Sequence, residues 1–133
     1  MEQPLKTVLV VDDKTPIIRI VQTILTAQGV ETVVGATTGP EAIRKLNGRV
    51  SFDLVMCERF MLPMNALDLK LLMNSRPDWA AIPFVAMLSI DKAGDAEKRA
   101  AAGVEHCVLK PFTGDTLMKA VAAASAGRRA AAA

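Results

Sequence analysis

The chain has 133 residues, enough for one ordinary domain and not for two. It is 51% hydrophobic and 23% charged, which suits a folded core rather than a disordered tail, and its formal charge of +2 argues against a strong nucleic-acid footprint. No apolar run approaches the roughly 18–20 residues that span a bilayer, and Met1-Glu2-Gln3-Pro4 has neither the basic nor the apolar region of a signal peptide, so a cytoplasmic chain without membrane insertion is expected.

Thr7–Val11 is a short β-branched run ending at Asp12 and Asp13, the pattern of a strand buried on both faces. Thr15 and Pro16 supply a helix cap and a first-turn proline. Ile17, Ile20, Val21, Ile24 and Leu25 then recur at helical spacing up to Gly29. The alternation continues with a strand over 31–36 and a helix from Gly39-Pro40 through Leu46. A strand over 54–57 follows, then a helix over 64–74 that Arg76-Pro77 ends. Next come a strand over 83–88, a helix over Asp95–Ala102 stopped by Gly103, a strand over 104–109 and a helix over 113–126. Cys57 and Cys107 lie in apolar runs without metal-ligand spacing, and His106 is the single histidine, so both thiols are expected as reduced core residues. Trp79 is expected to pack between the third helix and the fourth strand.

Strands alternating with helices imply βαβ crossovers. The expected fold is α/β: a flavodoxin-like, doubly wound, five-stranded parallel sheet of order 2-1-3-4-5 with five helices. It occupies residues 1–126 and leaves a short Ala/Arg tail over 127–133. In this topology the binding crevice lies beyond the carboxyl ends of the strands. The residues there are Asp12-Asp13 after the first strand, Glu58 after the third, Ser89 after the fourth and Lys110-Pro111 after the fifth. Each alone has an ordinary reading as a turn, cap or solvated residue. Together they place three acids, a hydroxyl and a lysine around one crevice. Close carboxylates raise one another's pKa unless a cation intervenes, a role open to Lys110 or to Mg²⁺.

The stretches Val8–Asp13, Asp53–Glu58, Pro83–Ser89 and Val108–Phe112, in this order and spacing, resemble the receiver domain of two-component response regulators across essentially the whole chain. The resemblance implies phosphoryl transfer from a histidine kinase to an aspartate at the end of the third strand. Mg²⁺ sits on the acid pair, a lysine pairs with the acyl phosphate, and a hydroxyl and an aromatic residue act as the switch. Mapped onto this chain, the acid pair is Asp12 and Asp13, the phosphoacceptor position is Glu58, the switch positions are Ser89 and Cys107, and the phosphate-pairing lysine is Lys110. A metal would take Asp12, Asp13, Glu58 and the carbonyl of Phe60. Lys110-Pro111 resembles the family's cis peptide.

Four features depart from the family pattern. Glu58 replaces the acceptor aspartate and extends its carboxylate by about 1.5 Å, one C–C bond. Ile90 stands where a small residue usually leaves a path for the phosphodonor, Cys107 has no ring to rotate, and Pro63 and Ala66 alter the loop after the third strand. The expected function is a degenerate receiver acting through protein–protein contacts without phosphate on aspartate. The alternatives are phosphorylation of Glu58, or sensing of an anionic ligand such as a cyclic dinucleotide through Lys98, Arg99, Arg128 and Arg129. An enzyme is not expected: Glu58 is a poor nucleophile for a phosphatase, and neither a Ser–His pair nor a Gly-rich phosphate loop is present. DNA binding is not expected either, because little chain follows the last helix. The partner is expected to be a histidine kinase or other signalling protein on the face of the fourth helix, fifth strand and fifth helix. That face holds Asp95–Ala102, His106, Val108 and residues 116–123, on a monomer or weak homodimer.

Overall fold

Val8, Leu9, Val10 and Val11 have no exposed surface, as a β-branched run requires when helices cover both faces of its sheet. The structure is a computed structural model describing residues 5–132, with side chains through residue 126. Its strands are β1 (Thr7–Val11), β2 (Thr32–Ala36), β3 (Leu54–Glu58), β4 (Phe84–Leu88) and β5 (Cys107–Leu109). They form one parallel sheet of order β2-β1-β3-β4-β5.

The helices are α1 (Thr15–Ala27), α2 (Gly39–Leu46), α3 (Ala66–Asn74), α4 (Pro77–Ala80), α5 (Asp95–Ala102) and α6 (Gly114–Ala132). Six helices thus replace the five expected. Pro77 does end α3, but its fixed φ also starts the single turn of α4, in which Trp79 N and Ala80 N both donate to Arg76 O. Trp79 is buried there as a packing residue, with the Arg76 guanidinium 3.9 Å from its ring.

Strand alternation sorts the core into two layers. Leu9, Val11, Val55, Cys57, Ala86 and Leu88 face a cluster with Ala42, Leu46, Leu69, Met73 and Trp79. Val8, Val10, Met56, Val85 and Met87 face Val21 and Leu25 of α1 and Leu117 and Val121 of α6.

Several boundaries differ from the sequence reading. Helix α3 begins at Ala66, not residue 64, because Asn65 closes a capping box: its side chain accepts from Leu67 N and Asp68 N while Asp68 accepts from Asn65 N. Strand β5 starts at Cys107, not residue 104, because Val104 N still donates to Arg99 O as α5 exits through Gly103 at φ +86°. The N-cap of α1 is Lys14 rather than Thr15. The backbone of α6 continues through Ala132, across the tail expected at 127–133. Cys107 is exposed on the edge strand, so the expectation of two core thiols holds for Cys57 only.

The loop after β3 is held down where α2 begins. A Cβ at Gly39 would lie 2.6 Å from Met64 Cβ, inside contact distance. Gly39→Ala is therefore expected to lower stability by about 1–3 kcal/mol through overpacking. A reduced urea midpoint with an unchanged m-value would register it.

Candidate functional site

The sheet register brings the strand ends together. Val11 pairs with Cys57 and Glu58 with Met87, so Asp12 and Glu58 leave neighbouring strands at the same level. Lys110 N donates to Leu88 O at 2.7 Å, carrying β5 to that level, and the Lys110-Pro111 peptide is cis, as the resemblance implies. The ammonium of Lys110 donates to Asp12 Oδ2 at 2.7 Å and to Glu58 Oε1. The other carboxylate oxygens take backbone donors: Lys14 N donates to Asp12 Oδ1 at 2.9 Å, and Phe60 N to Glu58 Oε2 at 2.8 Å. Asp12 and Glu58 are both buried.

Two carboxylates around one ammonium leave an excess negative charge in a buried pocket. Burial pushes the Asp12 carboxyl above its ordinary range, and the bonds from Lys110 and Lys14 oppose this only in part. Burial of Lys110 works against its charge, but the bonds and charges of Asp12 and Glu58 outweigh that and hold its pKa above the ordinary lysine range. Burial pushes the neighbouring Cys57 thiol up, helped by the charges of Glu58 and Asp12, so it stays neutral and unreactive.

The side chains of Asp12, Glu58 and Lys110 are thus in contact, and of the other anticipated residues Phe60 alone bonds to them, through its backbone. Asp13 is exposed and pairs with Lys14 at 3.5 Å. Ser89 is exposed and has no side-chain hydrogen bond among the described residues. Cys107 is exposed on β5. Phe60 is half-buried and contributes its N–H to Glu58. Ile90 is 55% exposed.

A second cluster adjoins the first and was not anticipated. Arg59 Nε lies 3.2 and 3.1 Å from the two Asp95 oxygens, and Nη2 donates to Oδ1 at 2.7 Å. Arg99 Nη1 donates to Asp95 Oδ2 at 2.6 Å and to Asp91 Oδ1 at 3.1 Å. Arg59, Asp95 and Arg99 are all buried. Arg99 is therefore committed within the fold rather than free for an anionic ligand, Lys98 is exposed, and the side chains of Arg128 and Arg129 lie outside the described residues. The (i, i+4) spacing of Asp95 and Arg99 was a visible signal; the pairing with Arg59 had none.

Hydrogen bonding from Arg59 holds the Asp95 carboxyl below its ordinary value of 3.8, against burial and with Arg99 adding to the effect. A depressed carboxyl pKa stabilises the fold fully above the unfolded value, and this is lost as pH falls through the folded value. The melting-temperature gap between the wild type and Asp95→Asn is accordingly expected to stay constant from neutral pH to about pH 5 and to narrow below about pH 4. Thermal melts across that range measure it.

Receiver domains typically bind Mg²⁺ at the phosphorylation site. The residues here do not fit that ion as arranged. Every oxygen of Asp12 and Glu58 already accepts from Lys110 or a backbone N–H, and Lys110 stands between the two carboxylates. Among the described residues no group of three His, Cys, Asp or Glu side chains is placed to hold a metal ion. No helix among them is long and apolar enough to cross a membrane.

Residues 8–122 match the family model of the response regulator receiver domain. The chain is 34% identical over 111 residues to the chemotaxis protein CheY1 of Helicobacter pylori, covering 82% of this chain and 88% of that one. It is 29% identical over 118 residues to two-component system protein A of Emericella nidulans, covering 87% of this chain and 17% of that much longer protein. The solved structure of Vibrio cholerae chemotaxis protein CheY4 superposes with a TM-score of 0.83 at 24% identity, over 90% of this chain and 98% of that one, and shares the fold. With the flavodoxin-like strand order and an acid–lysine cluster at its carboxyl edge, the chain belongs to the response regulator receiver domain family, in its CheY-like form.

Proposed function

We propose that this receiver passes its signal through protein contacts in a fixed conformation, without carrying phosphate on an aspartate. Receiver domains of response regulators are generally non-enzymatic and work with histidine kinases and other signalling proteins. The observation that supports the finer reading is the bridge from Lys110 to both Asp12 and Glu58. Glu58 reaches about 1.5 Å further than aspartate, which places its carboxylate on the lysine that would otherwise pair with a phosphoryl group. It mimics that group in part, with one negative charge against about 1.5–2 for a phosphate.

In this reading Glu58 is the phosphoacceptor-equivalent position, and Lys110 replaces a divalent cation between the carboxylates. Ser89 and Cys107 occupy the switch positions without operating them. The partner contacts the face of α5, β5 and α6, where β5 is an edge strand with Leu109 53% exposed. The domain spans residues 1–126 and acts in the cytoplasm.

Incubation with Mg²⁺ and either acetyl phosphate or beryllofluoride tests the proposal. Intact mass is expected to show no phosphoryl increment, and the amide resonances of Asp12, Glu58 and Phe60 are expected to stay in place during a Mg²⁺ titration. An adduct on Glu58, or saturable movement of those amides, would overturn it.

A further inference from the structure

We infer that Arg59 is a positioning residue: clasped by Asp95, it fixes Glu58 against Lys110 and ties that contact to α5. The inference rests on the proposed reading of the Glu58 pocket and names how that pocket is held and regulated.

Arg59 is pinned at both ends. Its backbone N donates to Met87 O at 2.8 Å, continuing the β3–β4 ladder, and its guanidinium grips Asp95, the first residue of α5, through three contacts of 2.7–3.2 Å. The Phe60 ring takes two cations, its centroid 4.4 Å from Arg59 Cζ and 4.5 Å from Lys92 Nζ. The same Phe60 donates its N–H to Glu58 Oε2 at 2.8 Å. That bond leaves Oε1 for Lys110. The path therefore runs from α5 through Asp95, Arg59 and Phe60 to the Glu58 carboxylate without a gap.

Among the described residues Asp95 is the only hydrogen-bond partner of the guanidinium. Its Nη1 is buried and unpartnered among the described residues. If Asp95 withdraws, a buried cation is left without its counter-charge and must move towards water. Its Cα is one residue from Glu58 and one from Phe60, so that movement disturbs the Phe60 N–H bond. The coupling is reciprocal: whatever draws α5 away loosens Glu58, and whatever releases Glu58 loosens α5. A partner docking on α5 would in this way act on the pocket without touching it.

Amide hydrogen exchange on the full chain tests this, with the wild type compared to Arg59→Met, Asp95→Asn and the double variant. Each single variant is expected to speed exchange about tenfold or more both at the amides of residues 99–102 and at the Phe60 amide. At the Phe60 amide the double variant is expected to add little to either single variant, because there both act on one link. Arg59→Lys keeps the charge but loses the fork, and is expected to fall between wild type and Arg59→Met. Faster exchange in α5 with an unmoved Phe60 amide would reduce the pair to a local tether and overturn the inference. Should the single variants fail to fold, the wild type in sub-denaturing urea supplies the answer. The Phe60 amide and those of α5 should then share one opening free energy and one urea slope, and separate slopes would overturn the inference. An acetyl phosphate adduct on the wild type removes the proposed function and leaves this result standing. An unmoved Phe60 amide without an adduct removes only the positioning role.

Discussion

Glu58→Asp is expected to convert the chain into a phosphate acceptor. Shortening the side chain draws the carboxylate back by about 1.5 Å. It then no longer sits on the Lys110 ammonium, and a gap opens between residue 58 and Asp12 in which a divalent cation can bind. A carboxylate oxygen of residue 58 can attack the phosphorus of acetyl phosphate in line, forming the acyl phosphate as acetate leaves with the electrons of the broken P–O bond. Since an error near 1 Å can cost about 100-fold in such a step, correcting it should raise the rate of adduct formation by at least about that factor. Intact-mass time courses with Mg²⁺ and acetyl phosphate measure it. Equal inertness in the variant and the wild type would mean that the extra methylene is not what blocks the reaction.

Lys110→Met is the other large expected effect. It leaves Asp12 and Glu58, both buried, facing each other with no counter-charge. Breaking a buried pair by removing one partner costs about 3–5 kcal/mol, which at this chain length lowers the melting temperature by about 10 °C or more. The sign of the pH dependence follows from Asp12. Burial already pushes its carboxyl above the ordinary value, against the bond from Lys110, and losing that bond pushes it further. A raised carboxyl pKa stabilises the fold fully below the unfolded value and loses that contribution as pH rises through the folded value. The deficit of the variant should therefore be smallest near pH 4 and grow towards neutrality, with 3.8 as the unfolded reference. Glu58→Gln in the same chain should recover part of it. Urea titrations at several pH values separate these outcomes.

The layered fold was legible because its signals are periodic. The runs at Thr7–Val11 and Phe84–Leu88, and the apolar stripe of α1, repeat at strand or helix spacing and need only local sequence. The strand-end cluster of Asp12, Glu58 and Lys110 followed from the topology rule for parallel sheets. Less legible was which way each strand-end residue faces. The chain bends just past the end of β1, so Asp12 is buried in the pocket while Asp13 is exposed, and an acid pair in sequence is not a pair in space. Cys107 read as core because its neighbours are apolar, yet β5 is an edge strand. The Arg59–Asp95 pair was invisible for a different reason. Its members are 36 residues apart, and nothing local distinguishes Arg59 from any exposed arginine after a strand.

A crystal structure of the wild-type chain grown with excess Mg²⁺ places the decisive atoms in view. Lys110 Nζ is expected within hydrogen-bonding distance of both Asp12 Oδ2 and Glu58 Oε1, with Phe60 N on Glu58 Oε2 and no metal between the carboxylates. A Mg²⁺ ion bound to Asp13 and Glu58 with Lys110 swung aside, or Glu58 extended into solvent, would contradict the clamped pocket and the phosphate-independent function drawn from it.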